Sequence, residues 1–134
     1  MKYLLDTHTL LWWVTRPELL PPSLLDLLDD REHELFLSVA SAWELAIKTN
    51  AGKLDASKIL RELEFGQLKI DLQLLRAELT HVIRAGMLPL HHRDPFDRLM
   101  AAQALELGMS IVSRDPVFDL YGVKRIWNST PGMD

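Results

Sequence analysis

Four acidic residues that are widely separated along the chain are the main candidates for chemistry: Asp6, Glu44, Asp97 and Asp115. Asp6 and Asp115 each come at the end of a short apolar run that predicts a strand. Glu44 and Asp97 lie in the first two turns of predicted helices. The carboxyl ends of parallel strands and the starts of the helices that follow them share one edge of an α/β sheet. We therefore expect the four carboxylates to meet on one rim.

Carboxylates that converge in this way repel one another, and their pKa values shift unless a cation is present. Oxygen-only ligands suit Mg²⁺ or Mn²⁺, which are usually held by a few carboxylates together with water and substrate phosphates. Such an ion can activate water and neutralise charge during phosphodiester cleavage. The acids therefore predict a metal-dependent site that acts on phosphodiesters.

Each acid also has a simpler interpretation. Asp6 can be a turn residue or a helix cap, and Asp94 is well placed to cap the helix that contains Asp97. Asp97 itself can be a first-turn carboxylate that the helix dipole favours. Glu44 and Lys48 are spaced i,i+4, which is typical of a surface ion pair. Glu44 nevertheless has apolar neighbours, and the set of acids is stronger evidence than any one member.

Apolar runs that alternate with helical segments predict an α/β fold. The predicted strands are residues 2–5, 34–38, 68–70, 109–113 and 123–127. This alternation favours parallel pairing with right-handed crossovers, and apolar runs without alternation are typical of a sheet covered on both faces. We expect a three-layer α/β/α sandwich with a central parallel sheet of about five strands.

Proline, glycine and small polar residues predict the helix boundaries. The predicted helices are residues 9–14, one opened by Pro21 and Pro22 with Ser23 as N-cap, 39–49, one from Asp55 or Ser57 to Gly66, one from Asp71 to about Arg84 with Gly86 after its end, and 96–107. The last of these has the strongest start, because Asp94 stands at the N-cap and Pro95 at the first helical position.

The 134 residues suffice for one domain, which we assign to residues 1–128, with a polar tail at 129–134. Absence of cysteine excludes disulfide scaffolds, thiolate zinc sites and cysteine nucleophiles. The net charge of −4 argues against a protein that coats nucleic acid by bulk charge, but not against a local cleavage site. No uncharged apolar run approaches the ~20 residues that span a bilayer, and Asp6 and His8 interrupt the one leader-like segment. We expect a cytoplasmic protein without membrane contact.

Four segments around the acids, in order along essentially the whole chain, carry a family resemblance. They are YLLDTH at 3–8, SVASAWELAIK at 38–48, DPFDRLMAAQ at 94–103 and IVSRDPVF at 111–118. Together they resemble the PIN-domain ribonucleases and, within them, the VapC-type toxins of toxin–antitoxin pairs. No single segment is specific, and the signal lies in all four occurring in register.

The resemblance implies a catalytic quartet of Asp6, Glu44, Asp97 and Asp115. Within it, Asp6 and Asp97 correspond to the usual direct metal ligands. Asp115 corresponds to an acid that often acts through water, and Glu44 completes the site. Ser113 matches a small hydroxyl position that supports the last acid.

The resemblance leaves some neighbouring positions open. Asp94 lies beside the quartet and is a candidate supporting partner. The family commonly has Asn where this chain has His8, so His8 either contacts substrate or caps the helix. We interpret His91 and His92 as exposed loop residues or RNA contacts, because adjacent histidines point in different directions and metal-binding helix spacing is absent.

The function that the resemblance implies is a Mg²⁺-dependent endoribonuclease. Its partner would be a VapB-like antitoxin that binds operator DNA and blocks the cleft of the toxin, which usually forms homodimers. The basic residues nearest the acids are Lys48, Arg93, Arg98 and Arg114, which are candidate RNA contacts or simply solvated charges.

Aromatic and leucine-rich segments have two interpretations. Trp12 and Trp13 are adjacent on one helix, so one is expected inside and the other on a partner surface. Leucines at residues 19–28 fit either a groove for an antitoxin helix or an ordinary core. Trp43 and Trp127 are most simply core residues.

Alternative functions remain open at this point. One is an interaction module that has kept the fold without nuclease activity, although all four acids are present. Another is a nuclease that acts on DNA or in general RNA processing, because the metal chemistry is shared. A receiver-like domain would need a phospho-accepting aspartate after a central strand. A haloacid-dehalogenase-like phosphatase would need a second aspartate at the position of His8. This sequence meets neither requirement.

Overall fold

A five-stranded, all-parallel sheet forms the centre of the computed structural model, which describes residues 1–128. The strands are β1 Lys2–Leu5, β2 Glu34–Ser38, β3 Gln73–Leu75, β4 Ser110–Val112 and β5 Arg125–Ile126. Their order in the sheet is β3-β2-β1-β4-β5, and every neighbouring pair is parallel. The α/β fold with a parallel sheet of five strands is thereby confirmed. The tail predicted at 129–134 lies outside the described residues.

The central strand β1 is covered on both faces. Leu4 and Leu5 are fully buried, and they belong to different hydrophobic cores on opposite faces of the sheet. Successive side chains of a strand point to opposite faces, so a strand buried on both faces has an unbroken apolar run. This explains why the run at residues 2–5 shows no alternation.

In the described part of the chain, six α-helices cover the sheet: α1 Thr7–Thr15, α2 Pro22–Asp29, α3 Val39–Asn50, α4 Ser57–Glu64, α5 Leu79–Met87 and α6 Pro95–Leu107. One core contains Leu10, Leu24, Leu45 and Ile59, which come from α1, α2, α3 and α4. The opposite core is built on Met100 and its neighbours in α6, and α5 packs against that helix. A 3₁₀ segment at Pro116–Tyr121 follows β4.

The third strand was predicted at the wrong position. Residues 68–70 form no strand, and β3 lies at Gln73–Leu75, where it pairs with the end of β2. Leu68 and Ile70 instead pack against the core from a loop. An edge strand as exposed as β3 has little apolar signal of its own. Its place depends on pairing with β2, which the local sequence does not contain.

The start of the helix that follows was also predicted wrongly, for the same reason. It begins at Leu79, after the N-cap Glu78, and not at Asp71. A reciprocal capping box between Glu78 and His81 satisfies its first backbone N–H groups. Gly86, expected beyond the end of the helix, lies inside it.

Other boundaries differ by smaller amounts. Helix α2 begins at Pro22 with Pro21 as its N-cap, so Ser23 is not the cap. Proline at the first helical position lacks an N–H and needs no acceptor there. Helix α6 ends at Leu107, and Gly108, which follows it, has a φ of 65°, the left-handed conformation that glycine adopts readily. No helix within residues 1–128 is long and apolar enough to cross a membrane.

Trp43 was wrongly predicted to lie in the core. It is 64% exposed on the outer face of α3, where its ring packs edge-on against Phe96 with centroids 5.3 Å apart. Trp127 is half-buried against Trp12. Of the leucines at residues 19–28, Leu20, Leu24 and Leu28 are buried, which favours the core interpretation.

Candidate active site

A cleft of about 540 Å³ opens at the carboxyl edge of the sheet. All four predicted acids line it, and the remaining lining residues are His8, Trp12, Lys48, His92, Asp94, Arg114 and Pro116. Strands β1 and β4 end at this edge, and α3 and α6 begin at it. The structure therefore brings together side chains that are separated by more than one hundred residues in the sequence.

Asp6 stands at the end of the central strand. Its backbone N–H donates to the Val112 carbonyl at 3.0 Å, which continues the pairing of β1 with β4. Its side chain is buried, and the Ser113 hydroxyl donates to Oδ2 at 2.7 Å. Burial raises the pKa of Asp6, because it disfavours the charged form, and the Ser113 hydrogen bond opposes this rise.

Ser113 also joins Asp6 to the last acid. Its hydroxyl oxygen accepts a hydrogen bond from the backbone N–H of Asp115 at 3.0 Å. The Asp115 carboxylate caps the 3₁₀ segment, accepting from the Val117 N–H at 2.9 Å, and the residue is exposed. Asp115 is thus the most solvated of the four acids and lies at the rim of the cleft.

Glu44 is buried on the inner face of α3, one and a half turns from its start. The Thr7 hydroxyl donates to Oε1 at 2.7 Å, and the Lys48 ammonium donates to Oε2 at 2.7 Å. The hydrogen bond to Glu44 raises the pKa of Lys48. The simple i,i+4 ion pair is therefore present, but its carboxylate is buried and lines the cleft.

Asp97 lies in the first turn of α6. Asp94 caps that helix as predicted, because its Oδ1 accepts from the N–H groups of Phe96 at 2.9 Å and Asp97 at 3.3 Å. Burial, together with the negative charges of Asp6 and Asp94, raises the pKa of Asp97 to about 7. The imidazole Nε2 of His92 lies 2.8 Å from Asp97 Oδ2 and opposes this rise.

These donors fit a divalent cation. Carboxylates that share a cleft raise one another's pKa, and a cation bound between them stabilises their charged forms. His92, Asp94 and Asp97 each offer a ligand atom within 4.8 Å of the other two, and Asp6 and Glu44 line the same cleft. The donor set is mostly carboxylate oxygen, which suits Mg²⁺ or Mn²⁺.

Two residues of this site were not found by sequence reasoning. Thr7 directly follows Asp6, and its place at the first position of α1 was the only available signal. His92 was interpreted as an exposed loop residue or an RNA contact, and it is half-buried against Asp97 in the lining of the cleft. His91 is the exposed one of the pair, with its ring 5.4 Å from that of Tyr121.

The four candidate RNA contacts fall in different places. Lys48 and Arg114 line the cleft, and Arg93 is exposed beside Asp94 without lining it. Arg98 is only 8% exposed. Its guanidinium donates to four backbone carbonyls, that of Ala85 near the end of α5 and those of Leu88, Pro89 and His92 beyond it, at 2.8–3.1 Å. The predicted RNA contact at Arg98 is therefore wrong, because its donors already serve the backbone.

A larger depression of about 780 Å³ lies near the start of β2, away from the acids. Its walls mix both signs of charge, with Arg31, Lys58 and Lys69 beside Asp30 and Asp71. Among residues 1–128, the one group of three or more metal-ligating side chains that lie close together is in the smaller cleft and not in this depression. The smaller cleft is accordingly the better candidate for catalysis.

Comparison with known families gives one match over most of the chain. The model of the PIN domain family matches residues 3–124. No curated protein matches the chain by sequence.

Solved structures with the same fold are distant in sequence. DNA-bound VapBC from Salmonella typhimurium is 18% identical and has a TM-score of 0.70, covering 94% of this chain and 97% of that chain. VapBC2 from Rickettsia felis, bound to a promoter DNA fragment, is 17% identical with a TM-score of 0.69 and covers 95% and 99%. FitAcB from Neisseria gonorrhoeae is 20% identical with a TM-score of 0.66 and covers 92% and 96%. At these identities the likeness is one of fold.

The raised pKa of Asp97 predicts how stability depends on pH in the absence of metal. The folded-state pKa of about 7 exceeds the usual value of 3.8, so folding favours the protonated acid. This contribution is fully present below pH ~4 and is lost as the pH rises through about 7. Asp97→Asn removes the charge. In EDTA, the free energy of unfolding of this variant should exceed that of the unmodified chain, and the difference should grow as the pH rises from ~4 to about 7.

Chemical denaturation followed by circular dichroism at a series of pH values measures this difference. Asp26→Asn, at an exposed position of α2, is the control and should run parallel to the unmodified chain. If Asp97→Asn also runs parallel, burial and the neighbouring charges do not raise the pKa of Asp97 as described.

Proposed function

This chain belongs to the PIN domain family, a family of nucleases, and we propose that it is a Mg²⁺-dependent endoribonuclease, the toxin of a VapBC-type toxin–antitoxin pair. The observation that carries the proposal is the convergence of Asp6, Glu44, Asp97 and Asp115 on one cleft. Such a cluster is costly for an apo fold to hold together, and a phosphodiester-cleaving cation site gives it a purpose. The acids make the alternative of an inactive interaction module less favourable.

In this proposal Asp6 and Asp97 would hold Mg²⁺, or Mn²⁺ in its place, and the ion would supply the positive charge that activates water and neutralises charge during cleavage. Glu44 and Asp115 complete the site, either directly or through water. Ser113 keeps the Asp6 carboxylate oriented through its hydrogen bond. Thr7 donates a hydrogen bond to one oxygen of Glu44 and Lys48 to the other, and these two bonds fix the orientation of the carboxylate.

RNA would enter a cleft whose charge is locally mixed. Lys48 and Arg114 lie among the acids, where they can bind phosphates on either side of the scissile bond, and Arg93 is exposed nearby. The overall charge of −4 gives no general attraction for nucleic acid, so binding depends on these local contacts and on the cation. DNA cleavage or general RNA processing would use the same groups and stays the alternative.

A VapB-like antitoxin is the proposed protein partner. Two similar folds are described as VapBC complexes bound to DNA, one of them to a promoter fragment. By analogy, the antitoxin would cover the cleft of this chain and make the contacts with operator DNA. The acidic character of this chain agrees with that division of roles, and we propose that both act in the cytoplasm.

A homodimer is the proposed assembly, and the outer face of α5 is the surface that supports it. Leu79, Val82, Ile83 and Met87 lie on one helical face by their spacing, and each is more than half exposed. Contiguous exposed apolar side chains of this kind usually mark an interface. A two-fold dimer needs only one patch, because both copies use the same surface.

Cleavage of mixed structured RNAs by the purified chain tests the nuclease. We expect cutting with Mg²⁺, none with EDTA, and a loss of more than about 100-fold in Asp6→Asn and in Asp97→Asn, because each removes a cation ligand. Asp26→Asn, at an exposed position of α2, should cut normally. A DNA substrate of the same sequence separates the RNA and DNA alternatives. Full activity in both site variants would contradict the assignment.

Induced expression in bacterial cells tests the toxin role. Growth should stop with the unmodified chain, continue with Asp97→Asn, and recover when a small neighbouring reading frame is expressed together with it. If growth is unaffected although the purified chain cuts RNA, the chain is a processing nuclease and not a toxin.

Light scattering after size-exclusion chromatography tests the dimer. The unmodified chain should have twice the monomer mass of 15.4 kDa. Ile83→Glu should have the monomer mass, because it places a charge in the apolar interface. Phe65→Glu, at a similarly exposed apolar residue outside α5, is the matched control. A dimer that survives Ile83→Glu does not use this face.

A further inference from the structure

The His92 imidazole contacts the Asp97 carboxylate directly. Its Nε2 lies 2.8 Å from Oδ2, a hydrogen-bonding distance, and the ring is less than one third exposed. A ring nitrogen that carries the hydrogen donated to this oxygen has no free lone pair with which to bind a cation. The other oxygen of Asp97 is then free to bind a cation in the cleft. Asp6 and Asp94 lie close enough for their charges to interact with that of Asp97.

The loop that carries His92 is held in place by Arg98. This arginine follows Asp97 in α6, and its guanidinium donates to the carbonyls of Leu88, Pro89 and His92. The His92 carbonyl also accepts from the Tyr121 hydroxyl at 3.4 Å. The helix that presents Asp97 thus also fixes the backbone of the residue that contacts it.

We propose that His92 is a positioning residue for the cation site: it orients the Asp97 carboxylate by donating from Nε2 to Oδ2, and the Arg98-bound loop holds the imidazole there. The proposal rests on the proposed function, because it assumes that Asp97 binds the cation. Partners that hydrogen-bond to a metal ligand fix its orientation, and their loss typically lowers metal affinity 10- to 100-fold.

Isothermal titration calorimetry with Mg²⁺ alone and with Mn²⁺ alone tests the proposal on the full chain. His92→Leu removes the donor and should weaken the binding of both cations by about 10-fold. His92→Gln keeps an N–H donor on a side chain of similar reach and should retain most of the affinity. His91→Leu is the matched control, because the neighbouring histidine contacts Tyr121 and not Asp97, and it should bind as the unmodified chain does.

The outcomes separate this proposal from the function itself. Binding of neither cation by the unmodified chain would overturn the proposed metal-dependent nuclease. Normal binding by the unmodified chain and by His92→Leu would overturn only the role of His92. A loss confined to Mn²⁺ would also overturn it, because it would make the imidazole itself a ligand. Thermal unfolding verifies that each variant is folded, and His92→Ala, which also removes the donor, replaces His92→Leu if the leucine variant is not.

Discussion

Burial of several carboxylates together in one cleft is the constraint around which this structure is organised. Burial and neighbouring negative charges raise the pKa of Asp97 to about 7, and burial raises the pKa of Asp6. A fold that keeps such groups together must supply donors to each of them. It does so from separate elements: Ser113 at the end of β4 serves Asp6, Thr7 of α1 serves Glu44, and His92 of the loop before α6 lies against Asp97.

The strand order explains why one edge can hold all the acids. With β1 between β2 and β4, the chain leaves the centre of the sheet at Asp6 and returns beside it at Ser113. Helix α3 begins at the end of β2, the other neighbour of β1, so Glu44 reaches the same cleft. Parallel pairing places all these termini on one side, which no antiparallel arrangement of the same segments would do.

Arg98 illustrates how the same region combines stability and chemistry. A buried guanidinium is costly unless its donors are satisfied, and here backbone carbonyls satisfy them. These carbonyls belong to the end of α5 and the loop that follows, so the charge ties that loop to α6. Arg98, which the sequence suggested as an RNA contact, therefore organises the loop whose His92 reaches Asp97.

Local sequence alone determined much of this protein. The apolar runs of β1 and β2, the Asp94-Pro95 helix start and the four acids were all readable, because each is a local signal of burial, capping or charge. Strand β3 and the start of α5 were not, because the edge strand gains its place by pairing with β2. The tertiary structure alone decided that Arg98 turns inward, that Trp43 turns outward and that His92 meets Asp97. Those outcomes depend on which backbone groups need a donor and which helix face meets the sheet, and neither is set by residues adjacent in sequence.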